Sequence, residues 1–330
     1  MDYKPQQDRY TNGMTYRRCG NSGIQLPAIS LGFWHNFGHI DNYAACLEMV
    51  KYAFDHGICH FDLANNYGPP AGSAEENFGR MMKQCFAAHR DEMFITSKAG
   101  HEMWAGPYGG NSSRKNLMAS IDQSLRRMNL DYVDLFYSHR YDGFTPIDET
   151  MQALVDIVRQ GKALYIGLSK YPIEKLLYAL NYLHEAGIPC LAYQDRYNMF
   201  DRHVEEQHLQ ICSAKGIGVV AFSPLAQGIL SDKYLHGIPA DSRAARPEGY
   251  LKTTDVTPEK IERVTRLKAI ADERGQTISQ LALSWVLRRD EVSSVIVGAR
   301  NLDQLKGSLH TTENLVLTPT EIKLIDDILA

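Results

Sequence analysis

The sequence lacks an excess of either charge, a paired-cysteine motif and any apolar run of the roughly 20 residues that a bilayer-spanning helix requires. Each absence removes a class of function. With 39 acidic against 35 basic side chains, a formal charge of -4, the chain has no basic field of the kind that holds nucleic acid or an anionic membrane surface. The six cysteines (Cys19, Cys46, Cys59, Cys85, Cys190 and Cys212) form no CxxC pair, and a chain this long needs no disulfide staples, so they read as reduced thiols. The opening segment, MDYKPQQDRYTNGMTYRRCG, has no apolar core behind its charges, and the expectation is a soluble cytoplasmic protein. Of the 12 histidines, those in the short-spaced pairs His35/His39 and His60/Asp62 match neither HExxH nor another ligand spacing, so no metal site is expected. GxxxxGK[ST] is absent, and Ser169 and Ser223 lack the GxSxG setting of a hydrolase nucleophile.

What is present is alternation. Short apolar or β-branched runs interleave with amphipathic stretches from end to end, the pattern of repeated βα units. The predicted strands are Ala28–Leu31, Cys59–Asp62, Met93–Thr96, Tyr132–Tyr137, Ala163–Leu168, Leu191–Gln194, Gly218–Phe222 and Ser294–Val297. Predicted helices fall near Tyr43–His56, Ser73–Cys85, Ser113–Met128, Ile147–Gln160, Pro172–Ala186, Val204–Lys215, Pro258–Arg274 and Ile278–Arg288. Ser113 and Thr257-Pro258 supply helix-start signals. Eight strands with interposed helices predict one (β/α)₈ TIM barrel over residues 1–330. Ahead of it, Tyr16-Arg17-Arg18 and Gln25-Leu26-Pro27 flank the turn Gly20-Asn21-Ser22-Gly23, which reads as a hairpin under the barrel. A long irregular stretch, about Ala226 to Thr257, contains Gly228, Gly237, Pro239, Pro247 and Gly249, and its length points to function. The segment Gly216–Ala221 formally matches the dinucleotide fingerprint GxGxxA. It follows a helix and runs into a strand, the reverse of the context that fingerprint needs, so Gly216 reads as a helix terminator.

In such a barrel, reactive groups belong at the carboxyl ends of strands. Asp62 ends one strand, Tyr67 lies in the loop that follows, Lys98 ends ITSK, and His139 ends LFYSH. Together they suit a proton-donating phenol: tyrosine titrates near pH ~10, and an adjacent Lys98 ammonium, charge-balanced by Asp62, would lower that value. His139 would then orient a carbonyl oxygen toward Tyr67. Any one of them alone reads more simply as a cap, a loop aromatic, a surface charge or a packed core histidine.

The ordered segments FDLANNYGPPAGSAEENFGR, ITSKAG, YVDLFYSHR, GKALYIGLSK, AFSPLAQGIL and SVIVGARNLDQL resemble aldo-keto reductase motifs over nearly the whole chain. FWHNFGH, NNYGPPAGSAEENFGR and GPYGG look most like the bacterial L-glyceraldehyde 3-phosphate reductases, which are related to potassium-channel β subunits. The resemblance implies Tyr67 as general acid, Lys98 and Asp62 as its tuning pair and His139 as the carbonyl-orienting group. It also implies NADPH as hydride source, bound without a Rossmann unit. Ser169 and Gln194 match carboxamide-fixing positions, and Phe222 the ring that stacks on nicotinamide, beside Trp34 and Asp62. Ser223, Pro224, Leu225, Gly228 and Leu230 match the pyrophosphate loop, with Lys233 and Arg243 as its cations. Gly298, Arg300 and Gln304 match the adenosine end, where a guanidinium near a helix start favours a 2′-phosphate.

The sequence departs from relatives at Gly307 and Ser308, where a glutamate and an asparagine commonly hold the adenine, and at Lys170, where asparagine or serine is frequent. Trp34, His35 and Trp104 are candidates for the substrate wall. Arg140, Arg114 and Lys115 are candidates for a substrate phosphate. The implied activity is reduction of small aldehydes and ketones, with L-glyceraldehyde 3-phosphate and methylglyoxal as substrates, by a homo-oligomer, a tetramer or larger. Two other functions are weighed. A channel-β-like redox-sensing regulatory subunit is disfavoured by His139, where those subunits carry asparagine, and by the lack of a long N-terminal inactivation segment. A barrel aldolase would use Lys98 for a Schiff base.

Overall fold

The computed structural model describes residues 3–240, 242–245 and 250–330; Pro247 and Gly249 of the long loop lie outside the described residues. The predicted hairpin is β1 (Tyr16–Arg18) and β2 (Gln25–Pro27), paired antiparallel with Tyr16 opposite Pro27. Eight further strands follow: β3 (Ile29–Gly32), β4 (His60–Asp62), β5 (Phe94–Ala99), β6 (Val133–Ser138), β7 (Ala163–Ser169), β8 (Cys190–Arg196), β9 (Gly218–Phe222) and β10 (Val292–Val297). They close into a parallel barrel in chain order, with β10 pairing back on β3. Every residue of β5, β6 and β10 is buried, as expected where a parallel sheet is covered on one side by helices and filled on the other.

The outer layer is α1 (Tyr43–Asp55), α2 (Ser73–Met81), α3 (Arg114–Met128), α4 (Ile147–Arg159), α5 (Ile173–Glu185), α6 (His208–Lys215), α7 (Pro258–Glu273), α8 (Ile278–Leu287), α9 (Leu302–Leu309) and α10 (Pro319–Leu329). The caps read from sequence form: Ser113 accepts from the Asn116 amide, and Thr257 from that of Lys260 with Pro258 in the first turn. Gly216 ends α6 in the left-handed region at φ 68°, so the GxGxxA match is a helix terminus.

Three helix expectations need correction. The helix expected from Val204 begins as a 3₁₀ turn, His203–Glu205, and restarts at His208 because Gln207, at φ -147° and ψ -31°, leaves the helical conformation. The helix expected to Cys85 ends at Met81 and widens into a π turn, Met82–Phe86, which keeps Met82 and Phe86 in the core. Helices α9 and α10 were not expected, although Thr318-Pro319 repeats the start signal of Thr257-Pro258 and Glu321 completes a capping box with Thr318.

The hairpin closes the amino-terminal end of the barrel. Ser294 Oγ donates to the Pro27 carbonyl at 2.7 Å, Ser293 Oγ to that of Arg18 at 3.1 Å, and the Asn21 amide to that of Gly216 at 2.8 Å. The carboxyl ends of the strands are left for the long loops. Among the described residues, no helix is long and apolar enough to cross a membrane.

Candidate active site

Strand register brings together the four residues singled out at the strand ends. Asp62 is the last residue of β4 and Lys98 lies one residue from the end of β5. His139 follows β6, its amide bonded to the Ala99 carbonyl at 2.9 Å, and Tyr67 hangs in the loop after β4. Lys98 Nζ, fully buried, donates to Asp62 Oδ2 at 2.7 Å, to the Leu63 carbonyl at 2.7 Å and to the Tyr67 hydroxyl at 3.3 Å. All three ammonium donors are directed, which is the geometry of a fixed cation rather than of a free amine nucleophile. Asp62 Oδ1 accepts from Thr96 Oγ1 at 2.9 Å and from Gln194 Nε2 at 3.0 Å, so this buried charge is paired and hydrogen-bonded. The His139 ring stands edge-on to Tyr67, with centroids 5.9 Å apart.

A polar line continues down the barrel interior. Thr96 Oγ1 lies 3.5 Å from His60 Nε2, His60 Nδ1 lies 2.8 Å from Ser30 Oγ, and Ser30 Oγ lies 2.6 Å from the Ser294 hydroxyl that bonds β2. Glu75 adds a second carboxylate behind Lys98, fully buried, bonded by Ser97 Oγ at 2.6 Å and by Arg127 at 2.8 Å. Neither His60 nor Glu75 was singled out as functional, because their polar partners are remote in sequence.

The electrostatics differ from the sequence expectation at the phenol. Burial, then the Asp62 carboxylate, push the Tyr67 hydroxyl well above its ordinary value near 10. The field of Lys98 does not win because Asp62 sits closer to the ammonium than the phenol does, and burial also pulls Lys98 itself down. In this resting state the phenol therefore holds its proton firmly. Burial and the neighbouring Lys98, Lys170, His101 and Arg140 keep His139 neutral, well below its usual range. Its Nδ1 is buried without a hydrogen-bond partner, a costly condition that a ligand would relieve.

The positions matched to a dinucleotide lie on β7, β8 and β9, at the end of β10, and in the segments that follow β9 and β10. Ser169 ends β7 with its hydroxyl buried and unpartnered, and this orphan donor is the observation by which the residues fit a carboxamide. Gln194, on β8, gives its amide to Asp62. Phe222 ends β9 half-buried. Ser223, Ala226 and Gln227 are non-glycine residues at positive φ (52°, 46° and 58°), followed by Gly228 at 102°, so the turn holding Pro224 and Leu225 is under backbone strain. Leu230 is core, and Lys233 sits in the short turn Asp232–Tyr234. A methyl group placed on Gly298 would lie 3.8 Å from the Arg243 guanidinium, so the loop and the end of β10 face each other. Arg300 precedes Asn301, the N-cap of α9, and its amide bonds Gln304 Oε1 at 2.9 Å. Gly307 has open space around it and Ser308 bonds within its own helix.

The wall candidates separate. The Trp34 ring lies tilted against His35, centroids 4.2 Å apart, and against Tyr250 at 5.1 Å, which brings the long loop over the end of β3; Tyr250 was not foreseen. Trp104 packs on Gly109 within its own loop. Arg114 pairs with Asp156 on the helical layer, and Lys115 lies 5.1 Å over the exposed Tyr108 ring.

Comparison with known proteins agrees with this architecture. The chain is 50% identical over 323 residues to an L-glyceraldehyde 3-phosphate reductase of Escherichia coli O157:H7, covering 96% of this chain and 93% of that protein. It is 34% identical over 325 residues to a probable voltage-gated potassium channel subunit beta of Arabidopsis thaliana, covering 96% and 97%. The model of the aldo/keto reductase family matches residues 28–330, and the chain belongs to that family.

Proposed function

We propose that the chain reduces small aldehydes and ketones to alcohols with NADPH, L-glyceraldehyde 3-phosphate and methylglyoxal among them, with Tyr67 as general acid. The observation that carries the reading is the single buried ammonium of Lys98, joined at once to Asp62 and to the Tyr67 hydroxyl beside a neutral His139. Half identity to a protein named for L-glyceraldehyde 3-phosphate reduction supports the substrate.

The cofactor when bound supplies the hydride, which no side chain can. Ser169 would hold its carboxamide, together with Gln194, whose carbonyl oxygen is the end not given to Asp62. Phe222 and Trp34 would flank the nicotinamide. Ser223, Pro224, Leu225, Gly228, Leu230, Lys233 and Arg243 would follow the pyrophosphate, and Gly298, Arg300 and Gln304 the adenosine. Arg300 at the start of α9 supports a 2′-phosphate there, hence NADPH over NADH.

Lys98 can only donate, so the Tyr67 oxygen accepts from it and the phenol keeps its own O–H for the carbonyl oxygen. As negative charge develops on that oxygen, Tyr67 passes its proton across, and the nascent phenolate is held by the ammonium already in place. Asp62 keeps Lys98 charged despite its burial. Neutral His139 offers one N–H to the same oxygen and fixes the orientation of the carbonyl.

Following the absorbance of NADPH and NADH against phosphorylated and unphosphorylated aldehydes tests the reading. Tyr67→Phe should lower kcat by ~10²–10⁴-fold with NADPH binding retained. Turnover near wild type in that variant would remove Tyr67 as the acid.

A further inference from the structure

The four groups that make up the carbonyl site account for only one of the cations gathered there. Lys98 is matched by Asp62 at 2.7 Å. Lys170 and Arg140 are not so matched: among the described residues, neither has a carboxylate within ion-pair distance. Lys170 follows Ser169 at the end of β7 in the left-handed region, φ 55°. Its Nζ lies 2.9 Å from His101 Nε2 and 5.9 Å from the centre of the Phe222 ring. The His101 ring in turn stands edge-on to His139, with centroids 4.4 Å apart. Arg140, next to His139, is fixed by the carbonyls of Gly100 at 3.1 Å and Gly110 at 3.3 Å, which position its charge without neutralising it.

Asp195 is the carboxylate that acts on Lys170, and it is already engaged by the Tyr193 hydroxyl at 2.5 Å and by His203 at 3.5 Å. Burial and the neighbouring Lys170, Arg140 and Lys98 push His101 down to about 4, so it is a neutral acceptor for the Lys170 ammonium. Burial pulls Lys170 itself down to about 8, which leaves it charged at neutral pH but at a cost that an incoming anion would relieve.

We propose that Lys170, steered by His101 and backed by Arg140, is the subsite for the phosphate of a phosphorylated aldehyde whose carbonyl lies at His139 and Tyr67. The inference rests on the reductase reading and assigns the substrate's anionic end to named residues. Lys170 Nζ is one hydrogen bond, 2.9 Å, from the His101 ring, and that ring lies 4.4 Å between centroids from His139, so the ammonium stands two short contacts from the carbonyl site. Such a phosphate is close to a dianion at neutral pH and accepts charge-assisted hydrogen bonds from an ammonium and a guanidinium. Of the cations suggested by sequence for this task, only Arg140 borders the site; Lys170 enters through its position after β7.

The test is the ratio of kcat/KM for L-glyceraldehyde 3-phosphate to that for L-glyceraldehyde. Lys170→Met should lower this ratio about tenfold or more, mainly through KM for the phosphorylated substrate, while Lys170→Arg keeps most of it. Inorganic phosphate should compete with the phosphorylated aldehyde in the wild type and lose that effect in Lys170→Met. An unchanged ratio overturns the proposal. So does an equal fall for both aldehydes together with weaker NADPH binding, which would place Lys170 on the cofactor. A wild-type protein that reduces neither aldehyde defeats the reductase reading itself, an outcome distinct from both.

Discussion

The two ends of the same eight strands follow opposite rules. At the amino-terminal end, the hairpin and the strands meet through backbone: a Cβ on Gly20 would lie 2.1 Å from the Gly216 carbonyl oxygen, and the hydroxyls of Ser293 and Ser294 find carbonyl partners. At the carboxyl end, a lysine and an aspartate are buried as a pair, the Ser169 hydroxyl and His139 Nδ1 have no partner, and three non-glycine residues of the turn after β9 sit at positive φ. Satisfied polar groups and close packing stabilise; unsatisfied groups and strain are tolerated where a ligand completes them. The same barrel therefore separates its foundation from its chemistry along one axis.

The sharpest way to break this contrast is Lys98→Met. It removes the cation behind the phenol and leaves Asp62 buried without its partner. Activity should fall ~10³-fold and stability by roughly 3 kcal/mol, read from turnover and urea unfolding of the same sample. Full activity in a folded variant would contradict the division.

The polar line between the two ends gives a pH test. His60, fully buried, is pushed down to about 4 by burial. The unfolded chain titrates it near ~6.5, so between these values the unfolded state binds the extra proton. The stability this contributes is present above pH ~6.5 and is lost as pH falls through about 4, roughly 3 kcal/mol in all. Unfolding midpoints at neutral and acid pH should therefore diverge more for the wild type than for His60→Gln. Equal divergence would remove His60 as the source.

Gly20→Ala probes the foundation alone. The left-handed φ of 55° and the close carbonyl predict a loss of about 2 kcal/mol, with kcat per folded molecule retained. A fall in kcat without a fall in melting temperature would mean that the hairpin end also governs the site.

Much of this was legible in the chain. All eight barrel strands were located by alternation, and Asp62, Lys98 and His139 stood out because a polar residue ending an apolar strand has few structural reasons to be there. The last two helices were passed over although Thr318-Pro319 repeats the signal of Thr257-Pro258. The widened turn at Met82–Phe86 carries no local signal, since it follows from which side chains reach the core. His101 drew no reading at all, and Lys170 stood only as a departure from relatives, because nothing local ties the one to the other across 69 positions.

The amino-acid order by itself determined the alternation of strand and helix, the hairpin ahead of them, and which polar side chains finish which strands, because periodicity and capping act over a few residues. Only the closed barrel decided that Gln194 would reach Asp62 across 132 positions, that Asp62 would outweigh the phenol for the charge of Lys98, and that two cations with no carboxylate partner among the described residues would border His139. Hydrogen bonding, burial and charge balance depend on distance through space, and the chain acquires those distances when β10 pairs with β3.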